Sequence, residues 1–203
     1  MAHMTIIVAL LVRTADPSDR AVGTMTPVGT PPAGEAVLLT GVYGVGKTTI
    51  AIEIADVLER GVVPFAALDL DWLTWCNAGA GDRHGEHEMM LRNLDSVMVN
   101  YRAAGVRHYV LARSIFDRDE LMGLTRTMAM PTRTVEITLP FDEISRRLAT
   151  DPTSGRRDDL STSGTRMVDG AGTGFADRVV VNDQPVRVIA LDILRWLGWR
   201  LPR

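Results

Sequence analysis

The chain has 203 residues, of which 46% are hydrophobic and 23% charged, and its formal net charge is −3. This is the balance of a globular domain long enough to enclose a substantial core, and nothing in it recommends a nucleic-acid partner, because no cluster of arginines interleaved with aromatics offsets the slight acidity. Cys76 is the only cysteine, which excludes an internal disulfide and a structural zinc built on several thiolates, and suggests a reducing, cytoplasmic setting.

Residues 1–34 read as an N-terminal extension and linker. Met1-Ala2-His3-Met4 has the look of an expression-tag remnant. Thr5–Val12 is apolar but far short of the roughly 20 residues a membrane helix needs, and it lacks the basic leader of a signal peptide. It is either an added edge strand or lies ahead of a true start near Met25. Ala21–Gly34, rich in Pro, Gly and Thr, reads as a linker. The expected domain spans residues 35–203.

Glu35–Thr40 reads as a buried strand, Gly41-Val42-Tyr43-Gly44-Val45-Gly46-Lys47-Thr48 as a phosphate-binding loop, and Thr48–Arg60 as a helix closed by Gly61. Lys47 is the only lysine among 22 Lys and Arg residues. In a chain so biased toward arginine, lysine is expected to persist where a compact ammonium must fit between backbone amides and phosphate oxygens. The glycines let successive N–H groups curl inward, and the helix adds its first-turn amides and dipole. Lys47 is expected at the β- and γ-phosphates, the Thr48 hydroxyl on Mg²⁺, and Thr49 in the same cradle.

Val63–Leu70 reads as a second strand ending in Asp69-Leu70-Asp71. Ligands of open parallel sheets bind beyond the carboxyl ends of the strands, and alternation would put both acids on one side. Asp69 is therefore expected to serve the Mg²⁺ shell, and Asp71 to orient or deprotonate an acceptor hydroxyl, while also able to cap the Trp72–Trp75 turn. Trp72 and Trp75 are either core or one wall of an acceptor pocket. Gly85–Ala104 reads as a helix, Val106–Arg113 as a third strand with Arg113 at its mouth, and Asp117–Ala129 as a helix. Arg113 suits an anionic or hydroxyl-rich acceptor. Cys76, His84 and His87 match no metal spacing.

Thr132–Leu139 is the expected fourth strand, broken by Pro140, with Asp142 capping a helix through Thr150. Asp151–Asp177, rich in Gly, Ser, Thr, Arg and Asp, departs from the alternation and reads as a mobile lid. Arg178–Asn182 is a fifth strand and Pro185–Leu197 a last helix. The pattern gives a three-layer αβα sandwich, with a doubly wound, five-stranded parallel sheet of the P-loop nucleoside-triphosphate hydrolase type and a lid segment.

From Val37 to Asp71 the chain resembles the small P-loop kinases, the group of adenylylsulfate, shikimate, gluconate and nucleoside monophosphate kinases. The glycine loop, its helix and the Asp69-x-Asp71 strand end are most similar to adenylylsulfate kinase, and Asp-x-Asp also occurs in shikimate kinase. Leu70 stands in place of the glycine of the adenylylsulfate kinase motif, and Trp72-Leu73-Thr74-Trp75 in place of its Asn-x-Arg. The third strand ends Leu111-Ala112-Arg113-Ser114, without the features of either family. The resemblance implies that Arg147 opens the lid beside the nucleotide, and that Arg156 or Arg157 meets the transferring phosphate. It also implies that the loop Asn182-Asp183-Gln184-Pro185, after the fifth strand, receives the adenine through backbone groups.

Together these features lead us to expect a kinase that uses ATP and Mg²⁺ to phosphorylate a hydroxyl or phosphate of a small metabolite, nucleoside or antibiotic. Such a protein would work as a monomer or homodimer, without nucleic acid or membrane. The alternative is a P-loop NTPase or nucleotide-dependent switch with no small acceptor. An ordinary GTPase is excluded, because its guanine-reading Asn-Lys-x-Asp needs a second lysine.

Overall fold

The computed structural model describes residues 34–75, 83–150 and 174–199. The N-terminal extension, Cys76, and most of the expected lid with Arg156 and Arg157 lie outside the described residues.

Elements follow one another as β1 (Glu35–Thr40), α1 (Lys47–Arg60), β2 (Phe65–Asp69), a 3-10 turn (Leu70–Leu73) and α2 (Arg83–Ala103), then β3 (His108–Ala112), α3 (Arg118–Met128), β4 (Thr132–Thr138), α4 (Phe141–Thr150), β5 (Arg178–Val181) and α5 (Val186–Leu197). All strand pairs are parallel, in the order β2-β3-β1-β4-β5. The earliest strand is thus central, and the order reverses beside it, leaving a crevice above its carboxyl end. The phosphate loop leaves β1 at that point.

Period-two alternation divides the core. Val37, Leu39, Val110, Ala112, Val135 and Ile137 face α1, α4 and α5, whose Ile50, Ile54, Ile144, Leu148, Ile193 and Leu194 complete one buried cluster. Ala36, Leu38, Leu68 and Leu111 face the other way, onto Met90, Leu94 and Met98 of α2 and Leu124 and Met128 of α3. β1 contributes to both clusters, as a central parallel strand must.

The strands are slightly shorter than the sequence suggests. Pro64 has no N–H to offer a ladder, and the Val106 N–H donates to Tyr101 O at 3.0 Å, closing α2 rather than joining β3. Asp117 caps α3 by accepting the Glu120 N–H at 2.9 Å. Asp142 is not a cap. α4 begins at Phe141, the Ile144 N–H reaching back to Pro140 O at 3.2 Å, so Asp142 lies in the first turn and acts on the helix dipole. Asp177, where the lid was expected to end, is fastened to β4: its N–H donates to Thr134 O at 2.9 Å and its carboxylate accepts the Thr134 N–H at 2.7 Å. Among the described residues no helix is long and apolar enough to cross a membrane.

Candidate active site

The loop from Gly41 to Gly46 connects β1 to α1 as the motif requires, and two of its glycines are enforced by close approach. Gly41 has φ +131°, and a Cβ there would lie 2.3 Å from the Ile137 carbonyl oxygen of β4. Gly46 has φ +96°, and a Cβ there would lie 2.5 Å from Asn182 Nδ2. No L side chain satisfies either position without moving backbone or a buried amide. Between them, Val45 is buried in the core and anchors the loop, while Val42, Tyr43 and Gly44 form its half-buried rim. Lys47 is only 7% exposed, and its Nζ donates to the carbonyls of Gly41 at 3.1 Å and Val42 at 3.0 Å. The ammonium also lies 5.4 Å from the centre of the Tyr43 ring. A spherical donor group can occupy this crowded space, where a planar guanidinium would not.

Asp69 is held by both of its oxygens. Oδ2 accepts the Thr48 hydroxyl at 2.6 Å, and Oδ1 accepts the Asp71 N–H at 3.1 Å. The strand end is thereby tied to the first turn of α1. The second contact also makes Asp69, rather than Asp71, the cap of the 3-10 turn. Asp71 lies within that turn, so strand alternation does not govern its direction, and the two acids meet different partners. Asp71 Oδ1 pairs with Arg113 NH1 at 3.1 Å.

Arg113 follows β3 and is 8% exposed. Its N–H continues the ladder to Leu39 O at 3.1 Å, and two residues later the Ile115 N–H is taken by the Thr40 hydroxyl at 3.0 Å, so the β3 mouth is pinned to β1. A buried guanidinium needs an anion, and Asp71 supplies it. His87 of α2 is also buried, with burial pushing its imidazole below the ordinary histidine range. Trp72 and Trp75 are not core: they are 52% and 73% exposed, their ring centres 4.6 Å apart. The turn carrying them is braced, with the Thr74 hydroxyl donating to Asp71 O at 2.9 Å and Asn93 Nδ2 to Leu73 O at 2.6 Å.

On the other side of the loop a cavity is lined by Gly46, Thr49, Arg147, Asn182, Gln184 and Val186. Arg147 Nε donates to Glu143 Oε1 at 2.8 Å, and Arg146 grips the same carboxylate at 2.7 Å. These two guanidiniums hold the Glu143 carboxyl below its usual range, Arg146 contributing most. The loop Gly41–Gly46 with Lys47–Thr49, the acids, Arg113, and the cavity-lining Arg147 and Gln184 therefore gather along the carboxyl edge of the sheet.

Sequence reasoning placed Asn182 in the expected base loop without a role for its side chain, and missed Glu143. Asn182 Nδ2 donates to Val45 O at 2.7 Å, joining residues far apart in the chain, and Glu143 orients Arg147. The only signal for the first was a polar residue ending an apolar strand; the second, a glutamate one helical turn before an arginine, is common on any helix.

No protein-family model matches the sequence, and no curated protein matches it. In three dimensions the chain is similar to an unliganded sugar kinase from Janibacter sp. HTCC2649, with TM-score 0.60 and 22% identity, covering 82% of this chain and 95% of that one. It is also similar to the tunicamycin resistance protein of Deinococcus radiodurans, with TM-score 0.60, 19% identity and coverage of 84% and 99%. A third similar structure is the APS kinase of Mycobacterium tuberculosis in complex with AMPPNP and APS, with TM-score 0.59, 23% identity and coverage of 83% and 99%. The fold is that of the small P-loop kinases.

Proposed function

We propose that this chain is a kinase that transfers the γ-phosphoryl group of ATP, with Mg²⁺, to a hydroxyl of a small acceptor. The observation that carries this reading is the Thr48–Asp69–Asp71–Arg113 chain of contacts, in which one acid is committed to the nucleotide side and the next to the opposite side. A P-loop hydrolase needs the first acid; a second, held by its own buried arginine beside exposed aromatic rings, is what a phosphoryl acceptor requires.

Thr48 and Asp69 fit a magnesium ion, because a hydroxyl and a carboxylate oxygen already 2.6 Å apart are the hard oxygen donors it takes. Held by Thr48 and Asp69, Mg²⁺ would supply neutralisation of phosphate charge. The chain's own groups do the rest. Backbone amides of Gly41–Thr48 cradle the phosphates, and Lys47 turns its ammonium onto them. Asp71 aligns the acceptor hydroxyl and takes its proton, while Arg113 fixes Asp71 and meets polar groups of the acceptor. Trp72 and Trp75 offer ring faces to the acceptor's apolar side. Arg147 and Gln184 receive the nucleobase. Arg156 and Arg157 stay candidates for the cation at the transferring phosphate, on the family resemblance alone.

Proteins of similar fold are named as kinases of different acceptors, among them a sugar and APS, and one is named for tunicamycin resistance. The braced tryptophan pair favours an acceptor with an apolar ring face, such as a nucleoside or a nucleoside-like antibiotic. The test is ADP release across a panel of polyols, nucleosides and antibiotics bearing hydroxyls. Acceptor-dependent release supports the kinase. Release that no acceptor changes supports the switch or hydrolase instead.

A further inference from the structure

We propose that His87, Arg113 and Ser114 form the inner end of the acceptor subsite, and that they take an uncharged oxygen of the acceptor, a carbonyl or a hydroxyl, in place of a phosphate, sulfate or carboxylate. This rests on the reading that the acceptor lies beside Asp71.

The three residues are 7%, 8% and 2% exposed. Both ring nitrogens of His87, Nε of Arg113 and Oγ of Ser114 are buried, and none finds a hydrogen-bond partner among the described residues. Buried polar atoms are paired almost everywhere in native folds, so several left open in one neighbourhood mark a place that something else completes. The fold holds these groups from two sides. Arg113 and Ser114 follow β3, whose mouth is pinned to β1. His87 stands on α2 against α3, where Gly123 makes room for it: a Cβ there would lie 3.1 Å from Nε2. The imidazole is in electrostatic reach of Arg113. Arg113 in turn gives NH1 to Asp71 Oδ1 at 3.1 Å, so one guanidinium spans the acid at the reacting hydroxyl and the open cluster.

The charge around the cluster decides what it can take. The groups acting on the His87 ring are Glu120, Arg113, Asp117 and His84. Arg113 is already matched by Asp71, and Glu120 and Asp117 add two further carboxylates. Another anion brought into this surrounding would be repelled. Burial keeps the imidazole neutral, so it offers one donor and one acceptor nitrogen. The Ser114 hydroxyl can do either, and Nε of Arg113 can only donate. A carbonyl or hydroxyl oxygen satisfies such a set without bringing charge.

The experiment follows the His87 ring nitrogens by ¹⁵N NMR in the full chain, with Mg²⁺ and ADP filling the nucleotide site. The probes are adenosine and AMP, uridine and UMP, and glucose and glucuronate, pairs whose second member carries an anionic group. At least one neutral member is expected to shift the ring nitrogens and to bind about tenfold or more tightly than its anionic partner. His87→Met fills the space with an apolar chain and should weaken that probe about tenfold, whereas His87→Gln restores a donor and an acceptor and should recover most of the loss. Anionic members that bind as well as neutral ones would overturn the proposal. So would ring signals that no neutral member moves, or a His87→Met chain that binds like wild type, either of which makes the cluster a solvated part of the core. If the variants fail to fold, the wild-type pairs decide alone. Neutral probes that bind in this way and accept no phosphoryl group from ATP would contradict the kinase reading while supporting this site.

Discussion

Replacing Lys47 with alanine is expected to abolish phosphoryl transfer, and replacing it with arginine nearly so. The ammonium fits between the Gly41 and Val42 carbonyls at 3.1 and 3.0 Å, against the Tyr43 ring, and a planar fork finds no such room. Near-wild-type turnover in Lys47→Arg would refute that steric argument. The two acids should separate kinetically. Asp69→Asn weakens the oxygen set it shares with Thr48 and should raise the Mg²⁺ concentration needed for half-maximal rate. Asp71→Asn keeps an oxygen for Arg113 but loses the base, so kcat should fall by ~10²–10⁴ while ATP affinity holds. Unchanged turnover in both would reduce the pair to turn-forming residues. At this scale the sequence revealed the residues whose chemistry is unusual for their setting: a lone lysine in a glycine loop, and two acids at a strand end. It did not reveal that Asp69 caps the turn, or that Asp71 belongs to Arg113, because both depend on how the chain leaves the strand. Asn182 and Val45 meet only once β5 and β1 share a sheet, and no local pattern encodes that.

Helix α2 packs on α3 through His87, whose Nε2 would lie 3.1 Å from a Cβ at Gly123. Burial lowers its pKa first; Glu120 and Asp117 oppose this, while Arg113 and His84 reinforce it. A histidine depressed in the folded state contributes stability that is complete above its unfolded pKa, about 6.5, and is lost as pH falls through the folded value, because the unfolded chain takes up the proton first. Thermal denaturation between about pH 7.5 and 5.5 should therefore show a falling Tm in wild type and a flatter profile in His87→Met. Equal slopes would mean the imidazole is not held neutral. Gly41→Ala tests the other junction, between the loop and β4. With φ +131° and Ile137 O in the path of a Cβ, the loop must shift, so nucleotide affinity should drop sharply even where the fold survives. Retained affinity would contradict the close approach. The element boundaries themselves were mostly legible from apolar periodicity and capping residues. Besides Asp71, displaced as a cap by Asp69, the misplaced cap Asp142 reflects how readily a helix starts directly after proline.

Across the whole molecule, alternation of short apolar strands with helices foretold the layered sheet, since each strand must be buried on both faces. The spatial order β2-β3-β1-β4-β5 was not readable strand by strand. It follows from right-handed crossovers that cover both faces, and it brings residues from β1, β2, β3, β5 and α4 to one edge. That convergence is why a chain with no matching family model still shows a coherent candidate site. The central claim is acceptor-directed phosphoryl transfer, and the most direct measurement follows the fate of γ-³²P-labelled ATP with Mg²⁺ and the hydroxyl-bearing panel. The account predicts label covalently attached to at least one acceptor, lost in Lys47→Ala and strongly reduced in Asp71→Asn. Label recovered only as inorganic phosphate, at a rate that no acceptor alters and that Asp71→Asn leaves unchanged, would contradict it.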